Sequence, residues 1–261
     1  MSPYDEPGAV APSWLLEVPM AHRGLHGDGV AENSLTAFVA AADAGYGVEL
    51  DVQLSADGEA VVTHDATLER VAGVEGRVDA RSVEELAALR LEGTEEGVPT
   101  LEAALAVLRE VPVMIELKSV RLRPSPLERR VAEVLTDHDG PVCVASFNPI
   151  ALRWLRRQHP DLIRVQTAMA NGIAGLSAPL RRRLAELRYL PQVAPAAVSY
   201  EIHSLPQPAV DAWRERGGPV VTWTVDDEAT WDKARAHADN IIFEHIRPAP
   251  GPARDEPTPT T

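Results

Sequence analysis

At 261 residues, 45% hydrophobic and 25% charged, the chain is long enough to bury the core of one large α/β domain and too apolar to be disordered. Its formal net charge of −14 excludes broad electrostatic binding to nucleic acid or to an anionic membrane surface, since both partners require a positive footprint. Cys143 is the only cysteine, so no intramolecular disulfide forms; there is no basic start followed by an apolar run, and a cytoplasmic setting is expected.

Both ends read as flexible tails, 1–13 and 248–261. The second, "PAPGPARDEPTPTT", is rich in Pro and Thr and has no periodicity. They frame a single domain at 14–247. Within it, β-rich segments fall at 19–24, 46–54, 59–65, 111–118, 141–147, 163–169, 196–202, 219–225 and 240–246. Most are separated by amphipathic helical patterns: "SLTAFVAAADAG" with Asn33 as its N-cap, "RSVEELAALR", "TLEAALAVLREV", "PLERRVAEVLTDH" and "NPIALRWLRRQH". Strand and helix in alternation imply a parallel sheet.

One pair breaks the rhythm. "VQLSADGEAVV" sets Asp57-Gly58 between two alternating runs, a hairpin signal that makes the return segment at 59–65 antiparallel. Removing it leaves eight parallel candidates, the number a TIM (β/α)8 barrel requires. A doubly wound sheet is the alternative, but no glycine-rich phosphate loop follows the first strand.

Side chains alternate faces along a strand, so Glu49 and Asp51 project together, as do Glu116 and Lys118 in "IELK". With the turn centred on Asp57-Gly58, His64 is expected opposite Asp51 and on its face. The first strand ends in His22-Arg23-Gly24, and barrel active sites lie at the C-terminal strand ends. Carboxylates inside apolar strands are costly unless paired or bound to a cation. Glu49, Asp51 and Glu116 offer the oxygen donors that Mg2+ or Ca2+ prefers. His22 and His64 suit general acid–base work at neutral pH, and Arg23 and Lys118 suit an anionic group. Each residue taken singly has an ordinary structural explanation. Together on one rim, they describe metal-assisted phosphoryl transfer.

The pattern resembles the glycerophosphodiester phosphodiesterase family. The matching stretches are "AHRG" (21–24), "ENSLTAF" (32–38), "GVELDVQLSADGEAVVTHDATLER" (47–70), "VPTLEAAL" (98–105), "IELK" (115–118), "ASFNP" (145–149) and "TWTVDD" (222–227). The resemblance implies a TIM-barrel hydrolase that cleaves a glycerophosphodiester into glycerol 3-phosphate and an alcohol with one divalent cation. It implies His22 and His64 as the acid–base pair, Glu49, Asp51 and Glu116 as metal ligands, and Arg23 and Lys118 as phosphate contacts. An insertion at about 66–110 is expected to cap the site. The closing strand departs from the family's "GIITDxP", with Phe243 and Glu244 in place of Thr and Asp. Val71-Ala72-Gly73 likewise replaces a Thr-x-Gly stretch.

Trp223 is a candidate apolar wall for glycerol, and Tyr200, Glu201 and His203 are candidate pocket residues at another strand end. Trp154, Trp213 and Trp231 fall in helical patterns and are expected to pack. Two rival readings keep the barrel: a phospholipase D-like enzyme acting on lysophospholipids or sphingolipids, and a phosphodiester-binding barrel without turnover. The first needs an apolar mouth, and no hydrophobic loop stands out. Head group, choice of metal and oligomeric state are not encoded in any motif of the sequence.

Overall fold

The computed structural model describes residues 10–119, 126–171 and 176–251. Nine strands form one sheet: β1 (Met20–His22), β2 (Gly47–Leu54), β3 (Ala60–Val62), β4 (Val113–Leu117), β5 (Val142–Ser146), β6 (Ile163–Ala168), β7 (Ala197–Glu201), β8 (Val220–Val225) and β9 (Asn240–Phe243). All neighbours are parallel except β2 and β3. Because β1 pairs with both β2 and β9, the parallel strands close into a barrel with helices between them. The β3 strand hangs as a hairpin from the far end of β2, as the Asp-Gly signal implied.

The alternation of side chains divides the apolar residues into two layers. Leu50, Val52, Ile115, Leu117, Val144 and Val198 face the helices in the main core. Met20, Met114, Cys143, Ala145, Val165, Ala197, Val221 and Ile242 form a second cluster, which fills the barrel. Leu15, fully buried in the helix Ser13–Glu17, joins that second cluster. Asn240 Nδ2 fastens this helix by donating to the carbonyls of Leu15 and Val18, each at 2.8 Å. The plug sits where the strands begin, so the apolar filling stops short of their C-terminal ends. Trp154, Trp213 and Trp231 pack against the main core from the helical layer.

The hairpin register differs from expectation by one residue. Val52 pairs with Val62 and Leu54 with Ala60, and the Thr63 N–H donates to Asp51 O at 2.9 Å, so Thr63 and not His64 stands opposite Asp51. The cause is the turn. Gly58 N–H donates to Ser55 O at 3.2 Å and Gly58 has φ 90°, which makes a three-residue loop ending in a left-handed glycine instead of a two-residue turn.

Residues 248–251, expected as the start of a flexible tail, are held against the barrel, since Tyr46 Oη donates to Pro248 O at 2.6 Å and Gly251 packs against Val18; the rest of the expected tails, 1–9 and 252–261, lies outside the described residues. The segment after the hairpin buries Leu68, Val71, Val78, Leu86, Leu91 and Val98 in a separate cluster with Val61 of β3 and Ala31. Within the span read as an insertion, however, the helix Leu101–Val107 packs Leu101, Ala104 and Leu105 into the main core, as a barrel helix does. Among the described residues, no helix is long and apolar enough to cross a membrane.

Candidate active site

The C-terminal rim is built by strand register. The β1–β2 pairing sets His22 beside Glu49, and the β2–β4 pairing sets Asp51 beside Glu116. Carboxylate oxygens of Glu49, Asp51 and Glu116 all lie within 4.8 Å of one another. Lys118 Nζ bridges two of these acids, at 2.8 Å from Asp51 Oδ1 and 2.6 Å from Glu116 Oε1. His22 Nε2 stands 3.9 Å from Glu49 Oε2.

Arg23 reaches Asp51 through an unusual backbone. With φ 57° it turns out of β1 in the left-handed region, its N–H held by Glu49 O at 2.8 Å. Its side chain then spans Asp51 (Nε to Oδ2, 3.2 Å) and Glu32 (Nη1 to Oε1, 3.0 Å). Gly24 completes the turn at φ 81°, where a Cβ would stand 2.8 Å from the Ala37 backbone, so only glycine fits.

His64 leaves the ladder beyond β3. Gln53 Nε2 pins the departing chain by donating to the carbonyls of Thr63 and His64 at 3.3 and 2.9 Å. Asp65 Oδ1 holds His64 Nδ1 at 2.7 Å, Arg70 donates to Asp65 at 2.5 Å, and two further nitrogens of Arg70 grip Glu32 at 2.8 and 2.7 Å. An ionic chain thus runs from His64 through Asp65, Arg70 and Glu32 to Arg23 and Asp51.

Charge is unevenly settled along this rim. Burial pushes Asp51 upward, but Lys118 and Arg23, with His64 and His22 behind them, outweigh it and hold its carboxyl far below the usual range. Burial also pushes Glu49 upward; there the negative charges of Asp51 and Glu116 add to it and carry the carboxyl well above the usual range. Glu49 Oε2 is buried and has no hydrogen-bond partner among the described residues. A buried, unpartnered carboxylate oxygen among two other acids fits a hard divalent cation with oxygen ligands.

Three residues of this rim were read otherwise from sequence, or passed over. Asn33 is not the helix cap: Ser34 accepts the Ala37 N–H at 3.1 Å in that role. Asn33, at φ 55°, instead donates from Nδ2 to Asp51 Oδ2 at 3.1 Å. Its signal was ambiguous, since Asn serves equally as a cap and as a left-handed turn residue. Glu32 and His26 sit in the same β1–helix connection and carried no spacing signal at all.

The other candidates separate by strand face. Tyr200 is fully buried on the helix side, its hydroxyl donating to Ala185 O at 3.0 Å, so it packs and does not line the mouth. Glu201, on the opposite face, accepts from Ser204 Oγ, and His203 is exposed. Trp223 lies on the inner face, with Phe147 edge-on at 5.6 Å and an indole N–H that has no partner among the described residues.

The family model for the glycerophosphoryl diester phosphodiesterase family matches residues 22–247. The chain belongs to this family. Among curated relatives it is 28% identical over 237 residues to the glycerophosphodiester phosphodiesterase of Caldanaerobacter subterraneus, covering 86% of this chain and 93% of the relative. It is 30% identical over 220 residues to the probable glycerophosphodiester phosphodiesterase 2 of Mycobacterium tuberculosis, covering 80% of each. Among solved structures, the Oleispira antarctica phosphodiesterase in complex with the product sn-glycerol-3-phosphate superposes with a TM-score of 0.75 at 26% identity, covering 89% of this chain and 94% of that one. The matched span begins at His22 and ends at Arg247, so this member of the glycerophosphoryl diester phosphodiesterase family carries the whole barrel rim inside it.

Proposed function

We propose that the protein hydrolyses glycerophosphodiesters to glycerol 3-phosphate and the free alcohol. The observation that carries this reading is the acidic trio within 4.8 Å, flanked by His22, Arg23 and Lys118 at the C-terminal rim of a barrel of this family. In this reading Glu49, Asp51 and Glu116 hold one Mg2+ or Ca2+, which when bound supplies Lewis-acid neutralisation of phosphate charge. Arg23 and Lys118, now shared among carboxylates, supply the local positive charge that an anionic substrate needs in a chain of net charge −14.

The chemistry of the side chains follows in two balanced steps. One imidazole of the His22 and His64 pair takes the proton of the glycerol 2-hydroxyl as its oxygen bonds to phosphorus. The other, protonated, gives its proton to the leaving alcohol as the phosphorus–oxygen bond breaks, yielding a cyclic phosphate. Water then opens the ring with the two roles exchanged, and both imidazoles return to their starting states. Asp65 orients the His64 ring for this exchange.

The test is a panel of glycerophosphodiesters carrying choline, ethanolamine, glycerol and inositol, with a lysophospholipid beside it, assayed after chelation and with each metal restored. Release of alcohol from the panel, lost on chelation and regained with Mg2+ or Ca2+, is the expected result. Turnover of the lysolipid alone would move the activity to a lysophospholipase D, and no turnover of any diester would sink the reading.

A further inference from the structure

Glu244 follows β9 and takes no part in the scheme above. Its backbone N–H donates to Val225 O at 3.0 Å, which anchors it on the rim. Its two carboxylate oxygens then divide between histidines: Oε2 lies 3.0 Å from His22 Nδ1, and Oε1 lies 3.1 Å from His26 Nε2. His245 adds a longer contact at 3.5 Å from its exposed ring. The His22 hydrogen bond first, then His26, hold the Glu244 carboxyl far below the usual range, so it is ionised.

An ionised carboxylate can only accept. The hydrogen between Glu244 and His22 therefore sits on His22 Nδ1, and the other ring nitrogen is left to face the acidic trio, 3.9 Å from Glu49 Oε2. His26 Nε2 is buried and approaches Glu244 off the ideal hydrogen-bond direction; no other partner among the described residues satisfies it. His26 is placed there by a tight turn, Gly27 and Val30 exchanging backbone hydrogen bonds at 2.9 and 3.0 Å. His22 ends β1, His26 lies in the connection after it and Glu244 directly follows β9, so the contact exists only because the barrel closes between β1 and β9.

We propose that Glu244 is a positioning residue that locks His22 in its Nδ1–H tautomer with Nε2 turned toward the reacting phosphate, and that His26 holds Glu244 in register for it. The carboxylate itself touches no reacting atom. Its part in turnover rests on the phosphodiesterase reading above; the tautomer it imposes does not.

The experiment uses the full chain, metal-free and labelled with 15N at histidine, at a pH where imidazole is neutral. Long-range 1H–15N correlations report which ring nitrogen of His22 carries hydrogen. Wild type is expected as Nδ1–H, Glu244→Ala as a mixture or as Nε2–H, and Glu244→Asp as a partial return. His26→Ala is expected to shift the same equilibrium less. In steady-state assays on glycerophosphocholine with metal restored, Glu244→Ala is expected to lose about 10²-fold in kcat with KM within about twofold, and His26→Ala about tenfold. An Nε2–H tautomer in wild type, or an unchanged tautomer in a folded Glu244→Ala, overturns the proposal. If wild type turns over no diester, the functional reading fails while the tautomer measurement still decides this one.

Discussion

Asn33 and Asp51 grip each other at both ends: the Asn33 amide donates to Asp51 Oδ2 at 3.1 Å, and the Asp51 backbone N–H donates to Asn33 Oδ1 at 3.4 Å. The pair fixes the carboxylate that also carries Lys118 and Arg23. Removing the amide frees Asp51 to rotate away from Glu49 and Glu116. Asn33→Ala is expected to lower metal affinity and kcat/KM by about 10- to 100-fold, the range for groups that orient metal ligands. Calorimetric metal titration alongside kinetics checks it; wild-type affinity would show that Asn33 only shapes the turn.

Glu49 and Asp51 should respond to pH in opposite directions in the chelated protein. Glu49 is raised above its ordinary value of 4.5, so above that pH the folded state keeps a proton the unfolded chain has released, and its contribution to stability falls as pH rises. Asp51 is depressed below 3.8, so its contribution is present above that pH and is lost as pH falls toward the folded value. Glu49→Gln keeps the shape and removes the charge. Its urea midpoint is expected to exceed wild type at about pH 8 and to converge toward about pH 5, with metal affinity at least about tenfold weaker. A midpoint below wild type at the higher pH would contradict the destabilising burial of Glu49.

Gly24 combines φ 81° with a Cβ position 2.8 Å from the Ala37 backbone. Strain and overlap act together there, and the overlapping atom is main chain that cannot swing aside. Gly24→Ala is expected to cost about 2 kcal/mol or more. Denaturant titration reads this directly, and it should be accompanied by loss of activity because Arg23 shares the turn.

His64 is about one-third exposed and bonded mainly to Asp65, so its removal leaves the core intact. His64→Ala is expected to fold with a near-wild-type midpoint and to lose about 10²- to 10⁴-fold in kcat at saturating metal. Near-native hydrolysis would remove His64 from the acid–base pair.

The rim shows which kinds of information are local. Glu49 and Asp51 share a face because strand alternation has a period of two, and this could be read from "VELDV" without any structure. The pairing of Lys118 with Glu116 follows from the same rule applied to "IELK", whereas its reach to Asp51 needs the β2–β4 register. The expected position of His64 opposite Asp51 is not observed, since a turn of three residues instead of two shifts every cross-strand partner by one. Asn33 was misread for a related reason: one residue type serves two local backbone states, and only the φ of 55° tells them apart.

The sequence by itself determined the alternation of strand and helix, the hairpin, the number of parallel strands and the shared face of Glu49 and Asp51, because each rests on periodicities and turn residues that act over a few positions. Tertiary structure alone decided the hairpin register, the ionic chain from His64 to Arg23 and the contact of Glu244 with His22 across 222 residues of chain. Those depend on loop geometry and on where a closed barrel sets its first strand against its last, and side-chain distances of about 3 Å are decided there, below the resolution of any local pattern.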